Sequence, residues 1–285
     1  MAKCAVCFRH CEIREGERGF CGARGCRGGQ VVPLSYGLLT SLALDPIEKK
    51  PLARFHPGSK ILSLGSFGCN LRCPFCQNHE ISWSEEAIAL GAQARRVTPE
   101  ELAEAALETR SRGNIGLAFT YNEPLISWEF ILDAAKLSHA AGLVNVLVTN
   151  GTAELPVLEA LGPYIDAMNI DLKGFTKGYY GKLGGDLETV KAFIRRAVQI
   201  CHVELTTLIV PGENDSPEEM RALASWVAGL RDGEGQRIGP SVPLHVSRFF
   251  PRFRMTDRGP TPVKTLYALA EVAREKLRYV YTGNC

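Results

Sequence analysis

Three thiols within eight residues, in the run Cys69-Asn-Leu-Arg-Cys73-Pro-Phe-Cys76, are the densest chemistry in this 285-residue chain. The C-x3-C-x2-C spacing offers three soft ligands, and Pro74 keeps the run from continuing as a helix. A structural zinc site normally closes with four ligands, and no fourth Cys or His stands nearby at finger-like spacing. His79, just downstream, reads as a surface residue or a support to the ligands. Three thiolates on a cuboidal [4Fe–4S] cluster leave one iron without a protein ligand, and a small molecule can bind there.

A second group reads Cys4-x2-Cys7-x3-Cys11-x9-Cys21, with Cys26 as a spare. Its density favours a bound metal, and the spacing suits zinc or an iron–sulfur cluster equally. Cys201 sits in an apolar run and reads as a small buried hydrophobe, while Cys285 has no assigned role. Lys and Arg number 33 against 31 Asp and Glu, a net charge of +2, so no global field points to nucleic acid or a membrane surface. The N-terminal residues lack an apolar signal core and no stretch is long enough to span a bilayer, which predicts a cytoplasmic protein. In that compartment clustered thiols serve metals or catalysis more often than disulfides.

The elements that must hold these groups alternate. Apolar, strand-like runs cover 61–67, 115–120, 145–149, 167–172, 203–210 and 244–249. Helical patterns cover 99–112, 127–141, 155–161, 187–199, 217–230 and 262–277. Thr98 and Glu101 form a capping box, Ser216 is an N-cap, and Gly142 fits a C-terminal cap. Six βα alternations predict parallel strands joined by helical crossovers, hence an α/β barrel or partial barrel. Residues 1–58 stand outside the alternation as a Cys-rich, metal-binding extension, leaving 59–285 for the barrel. Ligands of parallel α/β folds sit at the C-terminal strand ends, which makes Glu123, the Thr149-Asn-Gly segment, and Asp171 with Lys173 the residues to watch. Asp171 and Lys173, two apart on a strand, point to one face.

The cysteine triad, placed just after the apolar strand that begins at Lys60 and carrying Phe75 before its last thiol, resembles the signature of the radical S-adenosylmethionine (SAM) superfamily. The resemblance implies a (β/α)6 partial barrel. It also implies a [4Fe–4S] cluster on Cys69, Cys73 and Cys76, whose free iron is chelated by the methionine part of SAM. One electron, from a donor such as flavodoxin or ferredoxin, then splits SAM into methionine and a 5′-deoxyadenosyl radical that abstracts hydrogen from substrate. By the same resemblance Glu123 accepts hydrogen bonds from the cofactor's ammonium, with Tyr121 and Asn122 in place of two glycines. Asn122, Thr149, Asp171 and Lys173 join it as cofactor-binding residues, the last two through an Asp-x-Lys match to pyruvate formate-lyase activating enzymes. Val148 stands where those enzymes carry a cation-binding aspartate. Phe250 stands where they often carry a histidine, and offers a ring to adenine instead. His245 falls five residues earlier and takes no such role, and Arg248 is a weak candidate for a carboxylate.

Together with the Asp45-Pro-Ile-Glu-Lys-Lys-Pro stretch and Thr120-Tyr-Asn-Glu-Pro, the cysteine blocks are most similar to the radical enzyme of the AmmeMemoRadiSam system. The resemblance leaves the radical acceptor open. It is a glycine on a partner protein, as for an activase, or a small molecule or other macromolecule modified directly. A reading from a different class is a zinc-binding scaffold with a degenerate barrel, and the retained Glu123 and Asp171 beside three intact cysteines argue against it.

Overall fold

Seven parallel strands form an arc whose C-terminal ends face one cavity. In chain order the main-sheet strands are β1 (Ser41–Pro46), β2 (Lys60–Gly65), β3 (Asn114–Phe119), β4 (Val144–Thr149), β5 (Ala167–Asp171), β6 (His202–Ile209), β7 (Leu244–Arg248) and β8 (Val280–Gly283). The order across the sheet is β8-β7-β6-β5-β4-β3-β2-β1, so the arc is open, with β8 and β1 as its edges. The computed structural model describes residues 1–285, the side chain of Ala92 excepted. No helix among the described residues is long and apolar enough to cross a membrane.

All six predicted strands are present and parallel, from β2 to β7. The crossover helices are α1 (Pro99–Glu108), α2 (Trp128–Ala140), α3 (Leu155–Leu161), α4 (Leu187–Ala197), α5 (Pro217–Ala228) and α6 (Val263–Arg274). They cover the outer face, which is why the strands read as nearly continuous apolar runs. Thr98 and Glu101 close the expected capping box on α1, with Glu101 N donating to Thr98 Oγ1 at 3.2 Å and Thr98 N to Glu101 Oε2 at 2.8 Å. Ser216 caps α5 through Glu219 N at 3.1 Å.

Two strands were not expected. β8 extends the arc by a seventh parallel strand after α6. β1, which the sequence places in the N-terminal extension, pairs antiparallel with β2 from Ser41↔Gly65 to Pro46↔Lys60. Half of its residues are exposed and it ends in proline, so its apolar signal is weak.

The segment after β1 is pinned to the strands' N-terminal end by a fully buried carboxylate. Glu204 accepts from Ala53 N at 3.0 Å and Arg54 N at 2.8 Å, and pairs with His202 Nε2 at 3.0 Å and His245 Nε2 at 2.7 Å. Burial works against its charge, yet these bonds hold Glu204 at about 2, and His245 is committed here rather than to the cavity's catalytic end.

Residues 1–40 wrap the opposite end in short two-stranded pieces. Buried Arg24 fastens them to the barrel, donating to Glu129 at 2.9 and 2.7 Å and to the Ile126 carbonyl at 3.0 Å.

Candidate active site

The loop after β2 carries the thiol triad. Gly68 begins it with φ +95°, and a Cβ there would meet Ala23 Cβ and the Cys21 carbonyl at 2.7 Å, so only glycine fits. Asn122 holds the same loop, accepting from Ser66 N at 3.0 Å and donating to the Gly68 carbonyl at 3.0 Å. Its amide is spent on backbone, so Asn122 shapes the cavity wall by fixing the cysteine loop.

Cys69, Cys73 and Cys76 line one cavity of about 310 Å3 together with Glu123, Thr149 and the Asp171–Lys173 pair. Burial pushes all three thiols up, Cys73 to about 11, so as they stand they are neutral. A metal would supply the positive charge that turns them into thiolates. The donor set fits a [4Fe–4S] cluster: three soft sulfurs, all of them free cysteines, around a shared volume with room beside them for a further ligand.

Glu123 is buried and already holds three donors. Oε1 accepts from Thr149 Oγ1 at 2.7 Å and Leu125 N at 3.1 Å, and Oε2 from Asn150 N at 2.8 Å. Burial nevertheless raises it to about 7. A carboxylate has about four acceptor sites, so one remains for a cation in the cavity. Thr149 thus orients the acid. Asp171, the last residue of β5, accepts from Lys173 Nζ at 2.9 Å, and both face the cavity as the two-residue spacing predicts. Burial opposes the ammonium, but Asp171 and Cys73 raise Lys173 well above the usual lysine range. The ion pair and the ligand-facing placement coexist.

Phe250 lies outside the cavity lining, about half exposed, under the guanidinium of Arg248 at 4.8 Å. The chain turns out after β7, and Ser247 rather than Phe250 reaches the cavity. Arg248 donates to the Thr261 carbonyl at 2.7 Å. His79 stacks on Phe253 at 4.1 Å, clear of the thiols' cavity.

Sequence reasoning named Asn150 only within the Thr149-Asn-Gly segment and missed its amide's contacts, a donation to Asn70 Oδ1 at 2.9 Å and an approach to Cys69 Sγ at 3.8 Å. It also missed a charged cluster beside Tyr121. The Tyr121 hydroxyl donates to Asp45 Oδ2 at 2.6 Å, and Lys50 Nζ bonds the same oxygen at 2.9 Å and sits over the tyrosine ring at 4.7 Å. Tyr121 takes φ +70°, a strained backbone for a non-glycine residue where a glycine was expected. These residues wall a second, polar chamber of about 800 Å3 that shares Tyr121, Asn78, Ser247 and Asn284 with the first.

The model of the Radical SAM superfamily matches residues 64–224. The chain belongs to the radical SAM superfamily. An uncharacterised protein of Methanocaldococcus jannaschii, MJ0808, is 41% identical over 285 residues, 99% of this chain and 81% of the relative. The pyruvate formate-lyase-activating enzyme of Clostridium pasteurianum is 28% identical over 191 residues, 64% of this chain and 75% of that enzyme. Among solved structures, QueE from Escherichia coli aligns with a TM-score of 0.50 at 11% identity, over 86% of this chain and 92% of QueE. Streptococcus suis SuiB bound to S-adenosylmethionine aligns with a TM-score of 0.57 at 13% identity, over 79% of this chain and 52% of SuiB, so the chain spans about half of SuiB's length. These likenesses agree on the radical SAM fold, a partial barrel around a parallel sheet. The family makes the chain an enzyme of iron–sulfur and SAM chemistry.

Proposed function

We propose that Cys69, Cys73 and Cys76 hold the [4Fe–4S] cluster, that Glu123, Asp171 and Lys173 position SAM against it, and that the polar chamber admits the substrate. One observation carries this reading: the three thiols and the three charged side chains line a single cavity that opens onto the chamber. When bound and reduced by one electron, the cluster and SAM together supply a 5′-deoxyadenosyl radical, which takes hydrogen from the substrate.

The chain's own residues do the positioning. Glu123 offers its remaining acceptor site to the cofactor's ammonium, and Thr149 and Asn150 keep that oxygen pair in place. Lys173, charged and only slightly exposed, is suited to a carboxylate or a hydroxyl of the cofactor, while Asp171 limits its travel. Tyr121 forms part of the wall shared by both chambers.

The substrate we favour is a segment of polypeptide presenting a hydrogen on carbon. A chamber of about 800 Å3 lined by Asp45, Glu48, Lys49, Lys50 and His245 suits a polar chain, and the similarity to pyruvate formate-lyase-activating enzyme supports an activase-like reaction. Anaerobic reconstitution with iron and sulfide should give cluster absorbance and dithionite-dependent 5′-deoxyadenosine, both lost in Cys73→Ala. No 5′-deoxyadenosine from fully loaded protein would sink the reading. A glycyl doublet in electron paramagnetic resonance after mixing with a candidate partner supports activation, and modification of a small molecule without it supports direct chemistry.

A further inference from the structure

We infer that the side-chain amide of Asn150 hydrogen bonds the Cys69 sulfur of the loaded site and thereby sets how readily the cluster there takes up an electron. The inference rests on the radical SAM reading above. It begins with the residues that leave β4, Thr149-Asn-Gly-Thr. Gly151 turns the chain at φ +66°, where a Cβ would strike Ile170 Cγ2 at 2.8 Å. The turn brings Thr152 back onto the amide of Asn150. Thr152 N donates to Asn150 Oδ1 at 3.1 Å, and Thr152 Oγ1 donates to the same oxygen at 2.5 Å.

Those two donors decide which end of the amide faces the cysteine. With Oδ1 taken up by an N–H and an O–H group, Nδ2 must point the other way. One of its two hydrogens goes to Asn70 Oδ1 at 2.9 Å, and the nitrogen stands 3.8 Å from Cys69 Sγ with the second. Asn70 is fixed in turn, because its own Nδ2 donates to Thr152 Oγ1 at 2.7 Å. Asn150, Asn70 and Thr152 thus close a three-membered cycle of hydrogen bonds, and all three are buried. Asn70 also lines the small cavity of Cys4, Cys7, Cys11 and Cys21, so the N-terminal extension covers the far side of the cycle.

The placement answers an electrostatic need. Burial raises the Cys69 thiol, and the nearby Glu123 carboxylate pushes it the same way. Asn150 serves both groups, its backbone N donating to Glu123 Oε2 at 2.8 Å while its side chain faces Cys69. Leu71 N adds a second donor to Cys69 Sγ at 3.4 Å. An electron taken up from an external one-electron donor makes the ligand sulfurs more negative, and no bond forms or breaks. An N–H donor aimed at such a sulfur favours the reduced form, and in a buried site it does so strongly. Asn150 therefore raises the reduction potential.

Redox titration of anaerobically reconstituted protein without SAM, read by electron paramagnetic resonance, tests this. Asn150→Leu keeps the branched shape and removes both hydrogens. The cluster should become about tenfold harder to reduce, a fall of about 59 mV for a one-electron couple. A role confined to packing gives the opposite sign, since a loosened loop admits water and water favours the more charged, reduced form. An unchanged or raised potential in the cluster-loaded variant overturns the inference. Asn150→Asp covers the case in which the leucine variant does not load. It keeps the two Thr152 donors, offers no hydrogen to Cys69, and should lower the potential at least as far. Failure of both variants to retain iron overturns the inference too, because Asn150 then serves to hold the loop. A wild type that loads no cluster brings down the radical SAM reading itself, whereas a loaded wild type whose potential the variants share brings down this inference alone.

Discussion

Thr149 Oγ1, on the last residue of β4, donates to Glu123 Oε1 at 2.7 Å, so one buried carboxylate joins the C-terminal ends of two neighbouring strands. The acid is held by three protein donors and still sits at about 7 because burial outweighs them. It accepts from an ammonium only when ionised. Affinity for SAM should therefore fall as pH drops below about 7, by up to about tenfold per pH unit. Equilibrium binding to cluster-loaded protein between about pH 6 and 8 reads it. A flat profile removes Glu123 from the ammonium site.

Lys173→Met should separate binding from stability. It leaves the carboxylate of Asp171 beside the cavity without its 2.9 Å partner. Because Asp171 is about a third exposed, the destabilisation should be modest, about 1–2 kcal/mol by denaturant unfolding. The loss of SAM affinity should exceed tenfold, roughly the worth of one charge-assisted hydrogen bond.

Arg24→Ala leaves the half-buried Glu129 carboxylate and the buried Ile126 carbonyl without their partner. The expected cost is about 2–4 kcal/mol, concentrated in residues 1–40. Limited proteolysis should cut this N-terminal block first in the variant. Uniform loss of protection across the barrel would contradict the role of Arg24 as its fastener.

Glu204→Gln tests the segment pinned beneath the barrel. The folded-state value of Glu204, about 2 against an ordinary 4.5, means its ionised form contributes stability above about 4.5. That contribution is lost as pH falls from there toward about 2. The variant should be about 3 kcal/mol less stable than wild type at neutral pH, with the gap closing in acid. Thermal unfolding at several pH values measures it.

Most of the barrel was legible because its strands are covered on both sides and its helices carry explicit caps. Thr98 and Ser216 each mark a start that the structure bears out. β1 and β8 were harder to read because edge strands are half-exposed and lack an apolar run. Spacing was enough to bring Cys69, Cys73 and Cys76 to one cavity, and to set Asp171 beside Lys173. It was silent on Asp45, Lys50 and Tyr121, which meet across 76 residues of chain. Phe250 shows the opposite failure: a position inferred by counting along β7 lies where the chain has already turned outward.

At Gly68 the radical loop and the Cys21 loop touch backbone against Cβ-free backbone. That contact has a consequence for biogenesis. A chain emerging from its N-terminus exposes four thiols long before the surface they pack on exists, since Asn70, Arg72 and Ile126 all come later. Until about the third strand is made, those sulfurs stand open to oxidants and stray metals. Closure against Gly68 ends that interval for both loops at once, so the two thiol sets are shielded in a joint event, timed by folding of the barrel's first half.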